Sequence, residues 1–69
     1  MEKIGFINSE VNAEIIRGLL ETFEIKASIA PWGSNKRAMG GSQAIFVEAG
    51  KEKEALEILA EKGFAVFQD

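Results

Sequence analysis

The segment Pro31-Trp32-Gly33-Ser34-Asn35-Lys36-Arg37-Ala38-Met39-Gly40-Gly41-Ser42 holds the densest set of residues able to do chemistry. Lys36 and Arg37 supply positive charge, and the pair Gly40-Gly41 lets backbone N–H groups form an anion-binding nest. Trp32 adds an aromatic anchor of the kind that dominates binding interfaces, where Arg is also enriched. Read together, Trp32, Lys36, Arg37, Gly40 and Gly41 point to a loop that holds a phosphate-bearing ligand or an acidic partner. The competing reading makes Trp32 a cap on one end of the core and leaves Lys36 and Arg37 as solvated loop charges. No Lys-Ser or Lys-Thr follows a Gly at P-loop spacing, and no dinucleotide fingerprint is present.

Catalytic chemistry has little to work with. His, Cys and Tyr are absent, and Asp69 is the only aspartate. A serine nucleophile would therefore lack a histidine base. A glutamate pair could move protons, but nearly all glutamates fall on solvated helix faces. Glu48, at the end of a strand, is the one carboxylate worth following. Glutamates without a clustered loop make a poor metal site, and disulfides are excluded. The expectation is a non-enzyme with no metal and no cofactor.

The elements that would position these residues follow from periodicity. Lys3 to Ile7 is a short apolar run that reads as strand one. Asn8 and Ser9 are helix N-caps. Val11, Ile15, Ile16, Leu19, Leu20 and Phe23 then form a helical stripe, with Glu10, Glu14, Arg17 and Glu21 on the other side. Gly18 interrupts that helix at a cost of about 1 kcal/mol against Ala, which close approach of another backbone would offset. Ile25 to Ala30 is strand two, ended by Pro31. Gln43 to Glu48 is strand three. Lys51 to Lys62 is a second amphipathic helix with Gly63 as its C′ residue, and Phe64 to Phe67 is strand four. Pro31 to Ser42 lacks apolar periodicity and is expected to be the most mobile internal segment.

The order β-α-β-β-α-β, with right-handed crossovers, predicts an α+β ferredoxin-like sandwich. It is a four-stranded antiparallel sheet with two helices on one face and strands one and three central. At 69 residues the chain is one domain, spanning 1–69, with a core small enough to gain from self-association.

Strict alternation splits the strands into two apolar sets. Ile4, Phe6, Ile45 and Val47 fall in one; Gly5, Ile7, Ala44 and Phe46 fall in the other, and Phe67 opposes Phe64 and Val66. Helices cover one set. The other, read as Ile7, Ala44, Phe46 and Phe67, is expected to be covered by a partner subunit, so the chain is expected to be a homo-oligomer. The run Gly41 to Glu48 faintly echoes the RNA-binding signature of ferredoxin-like domains. That signature needs stacking aromatics on strands one and three, and alternation points Phe6 away from Phe46. With a net charge of −3, neither nucleic acid nor an anionic membrane is an expected partner. No run has the length of a signal peptide or a membrane span, so the expected location is the cytoplasm.

Asn12 to Glu21 followed by Ile25-Lys26-Ala27, and Ile45-Phe46-Val47 followed by Glu54 to Leu59, resemble a small bacterial domain family of unknown function described as putative prokaryotic signal transducing protein. The resemblance covers nearly the whole chain. It departs at Glu24, where the family usually has Gly. It implies kinship in fold with the nitrogen-regulatory PII-like group, in which the loop between strands two and three contacts targets. No nucleotide-binding residues of that group match here. The expected function is a non-catalytic regulatory or interaction module that acts through this loop and a sheet-face interface. The alternative is a small-ligand sensor for an anion or nucleotide.

Overall fold

Ser9 sets the first junction in the chain. Its extended backbone (φ −163°) ends a strand, and its hydroxyl accepts from the Asn12 N–H at 3.1 Å, which satisfies one of the free donors of the helix that follows. The computed structural model describes residues 1–32 and 42–68. Strand β1 is Glu2–Asn8, helix α1 is Glu10–Thr22, strand β2 is Ala27–Pro31, strand β3 is Ser42–Val47 and helix α2 is Glu52–Glu61. Residues 33–41 lie outside the described residues, and with them most of the segment expected to be mobile.

Both helices end in the same way. Ile25 N–H reaches the Leu20 carbonyl and Glu24 N–H the Glu21 carbonyl. Phe64 N–H reaches Leu59 and Gly63 N–H reaches Ala60. These are paired six-to-one and five-to-two closures that need a left-handed residue at C′. Gly63 fills that place with φ +87°, as expected, and Glu24 fills it with φ +62°. Glu24 thus makes at the end of α1 the turn that Gly63 makes at the end of α2.

Ala13, Ile16 and Leu20 of α1 and Ala55, Ile58 and Leu59 of α2 enter one core with Ile4, Ile7, Ile45 and Val47. The two helices therefore lie on the same face of the sheet. Fully burying a side chain such as Leu20 contributes about 1.5–3 kcal/mol. Among the described residues Gly18 meets no backbone: a Cβ placed on it would find nothing within 4 Å, so the close approach expected there does not occur among them.

The expected four-stranded sheet is not what forms. Among the described residues the sheet has three antiparallel strands in the order β1-β3-β2, with β3 in the middle. The segment expected as strand four touches β1 through a single bridge, Phe6 with Phe67, whose two N–H···O bonds are both 2.8 Å. The reason lies in β1. Its register against β3 slips between Lys3 and Gly5, so that Ile4 and Gly5 together oppose Ile45. Gly5 takes φ +149°. Such a bulge bends and twists a strand and interrupts regular pairing on its edge. Beyond Phe67, the Ile4 carbonyl is met by the Gln68 side-chain amide at 2.8 Å.

Candidate functional site

The bulge decides which residues face away from the helices. Phe6 pairs with Ala44, which pairs with Ala30 on the other side; Lys3 and Ser28 both pair with Phe46. Residues opposite one another in a sheet share a face. Lys3, Phe6, Ala44, Phe46, Ser28 and Ala30 thus form the open face.

Aromatic rings gather there. Trp32 N–H donates to the Ser42 carbonyl at 3.0 Å, which carries the pairing one residue past β2. Its ring stacks on Phe6 with centroids 6.1 Å apart, and Phe67 packs on the other side of Phe6 at 5.6 Å. The Lys3 ammonium sits 3.5 Å from the centre of the Trp32 ring. Phe6 comes from β1 and Trp32 from the end of β2, so their rings meet over β3. Ala44 lies there and is only 1% exposed, although it faces away from the core. A small side chain at 44 is what lets the rings meet across it. Aromatic pairs contribute about 0.5–1.5 kcal/mol each and an exposed cation–π contact about 0.5–1 kcal/mol. The chain so covers part of its own open face. Phe67 remains 50% exposed, Met1 is exposed with its sulfur against the Ser28 hydroxyl, and Phe46 is half-buried.

This placement corrects two expectations. Ile7, assigned by alternation to the oligomer face, is 7% exposed and belongs to the helix-covered core. Phe6 and Phe46 are not on opposite faces; the bulge brings them to the same one. Ala44, Phe46 and Phe67 lie on the open face as expected. Phe6 lies between Trp32 and Phe67, and the Lys3 ammonium sits over the Trp32 ring. Of the loop residues, Trp32 is docked on this face, while Lys36, Arg37, Gly40 and Gly41 lie outside the described residues. Sequence reasoning missed Phe6 and Lys3 as members of the site. The available signal was Gly5, since an isolated glycine inside a strand pattern marks a bulge.

Among the described residues this face carries rings, methyls, hydroxyls and the Lys3 ammonium. Glu48 accepts from the Lys26 N–H at 3.0 Å and donates its own N–H to the Lys26 carbonyl at 3.1 Å, so it closes the end of the β2–β3 ladder. On α1, Arg17 bonds to Glu14 at 2.9 Å and Glu21 at 3.4 Å. The Glu14 hydrogen bond and charge, then the Glu21 charge, raise the guanidinium above its ordinary pKa; such exposed pairs add little stability. Among the described residues no group of acidic side chains is placed to hold a metal ion, and no helix is long and apolar enough to cross a membrane.

Comparison with protein-family models, with curated proteins and with solved structures found no match to this chain.

Proposed function

We propose that this chain is a non-catalytic interaction module that works through the open face of its sheet and self-associates there. The observation that carries the reading is the aromatic cluster of Phe6, Trp32 and Phe67 beside Phe46, on the face the helices leave uncovered. Aromatic residues are the usual anchors of interfaces, and a core this small gains from added burial. Three strands spaced about 4.8 Å apart and about 20 Å long make a face of roughly 300 Å² in projection. Such a face is small beside a standard interface, which buries ~800 Å² of accessible surface per partner, so weak association is expected. The resemblance to the signal-transducing family supports a regulatory role in the cytoplasm, with a further protein partner.

Sedimentation equilibrium tests the reading. The wild-type chain is expected to exceed its monomer mass as concentration rises from about 10 μM to about 1 mM. Phe46→Glu is expected to remain monomeric with unchanged helical circular dichroism. A wild-type monomer throughout that range contradicts the proposal.

A further inference from the structure

Among the described residues the outer edge of β2 is unpaired. β2 meets β3 in one unbroken register, from Ala27 with Val47 to Pro31 with Gln43. Beyond one end Trp32 N–H donates to the Ser42 carbonyl, and beyond the other Glu48 N–H donates to the Lys26 carbonyl. Bonded and non-bonded pairs alternate along an antiparallel ladder. Lys26, Ser28, Ala30 and Trp32 therefore bond toward β3, while Ala27, Ile29 and Pro31 turn their backbone groups to the edge. The N–H and C=O groups of Ala27 and Ile29 meet no partner there among the described residues. Pro31 has no N–H and closes the row. An open row of this kind is a template for one more strand.

The helix beside this edge decides what that strand carries. β1 and β2 run parallel with β3 between them, so α1 is a crossover, and such crossovers are right-handed. With Ala13, Ile16 and Leu20 against the sheet, a right-handed helix in that position turns one flank to the β2 edge and the other to α2. Leu19 lies on the α2 flank and packs against the core. The flank toward β2 holds Glu10, Glu14, Arg17 and Glu21. Arg17 is held by Glu14 at 2.9 Å and by Glu21 at 3.4 Å, which leaves three carboxylates against one guanidinium. Residues opposite one another in a sheet share a face. Side chains of an added strand that stand opposite Ala27 and Ile29 thus point to the helix side, along the glutamates. Lys or Arg at those positions lays its stem over the partly buried Ala27 and Ile29 and brings its charge to the carboxylates.

We infer that the β2 edge takes an extended segment of another protein, with Lys or Arg at alternate positions, as a fourth strand beside the glutamate flank of α1. A second copy of this chain fits the edge poorly. Pairing β2 with β2 about a twofold sets both α1 helices on one side of the joined sheet with their glutamate flanks facing each other. This edge is separate from the open face, so the inference goes beyond self-association and does not depend on it.

Three capped hexapeptides test it, each titrated into about 50 μM full-length chain and followed by backbone amide shifts. A peptide of alternating Lys and Thr is expected to bind with a Kd of about 0.1–1 mM, to shift the Ala27 and Ile29 amides and to slow their exchange about tenfold. The same peptide with backbone N-methyl groups on its lysines keeps the charge and loses the strand bonds; it is expected to bind about tenfold more weakly. A peptide of alternating Glu and Thr keeps the strand and reverses the charge, with a similar loss expected. In the chain, Glu14→Gln with Glu21→Gln, both at exposed positions, is expected to weaken the Lys-Thr peptide about fivefold and leave unfolding unchanged. Equal binding of the N-methylated peptide, shifts confined to α1, or no binding of the Lys-Thr peptide overturns the inference. Exchange at Ala27 and Ile29 that slows as the chain alone is concentrated also overturns it, because the occupant is then a second copy. Sedimentation of the wild type and Phe46→Glu reads none of these, so the two proposals fail separately.

Discussion

Gly5→Ala is the substitution the fold is expected to tolerate least for its size. Gly5 sits at φ +149°, where a side chain strains the backbone by about 1–3 kcal/mol. A Cβ there would also lie 2.5 Å from the Phe67 carbonyl oxygen and 2.5 Å from Val66 Cγ1. The carbonyl belongs to the backbone and cannot swing aside as a side chain would, so the C-terminal segment has to move. Its departure breaks the two 2.8 Å bonds between Phe6 and Phe67, each worth about 0.5–1.5 kcal/mol, and parts the two rings, worth a similar amount. The expected loss is about 2.5–7.5 kcal/mol, a large share of what a domain this small has. Gly63→Ala is the control. Gly63 also has a positive φ, +87°, but nothing lies within 4 Å of its Cβ position, so strain alone should cost about 1–2 kcal/mol. Urea unfolding followed by Trp32 emission and circular dichroism gives the two losses, and amide exchange at Phe6 and Phe67 reports the bridge. Equal losses in the two variants, or a Phe67 amide still protected in Gly5→Ala, would refute the reasoning.

Other substitutions probe the helices. Glu24→Gly relieves a left-handed non-glycine residue (φ +62°) and is expected to stabilise the chain by about 0.5–1 kcal/mol in urea titration. Gly18→Ala, at a position with free space, is expected to raise stability by a similar ~0.5–1 kcal/mol, read as a thermal midpoint about 4–8 °C higher per kcal/mol. Ser9→Ala removes the acceptor of the Asn12 N–H and should cost about 0.5–2 kcal/mol with faster exchange in the first turn of α1. Leu20→Ala empties a fully buried site and should cost about 2–5 kcal/mol in the same titration.

The helices were legible in the sequence because their evidence is local. Apolar spacing, Ser9 and Gly63 each act within one or two turns, and the structure places α1 and α2 within a residue of the expected spans. The apolar stripe of α1 was nonetheless read too wide: Val11 and Ile15 face outward, because a helix leaning on a three-stranded sheet buries only a narrow row. The sheet was harder. Period-two alternation assumes an unbroken strand, and one bulge at Ile4-Gly5 moves every residue on one side of it to the other face. That single slip exchanged Phe6 and Ile7 between faces, and it confined the expected fourth strand to one bridge. Pairing across 60 residues of sequence, as between Phe6 and Phe67, leaves no periodic trace of its strength.

The claim that the open sheet face is the working surface is tested most directly by mapping backbone amide chemical shifts while concentration rises from about 10 μM to about 1 mM. The account predicts progressive shifts at Phe6, Ala44, Phe46 and Phe67, with α2 unchanged. Shifts absent throughout, or confined to α2 and the core, would contradict it.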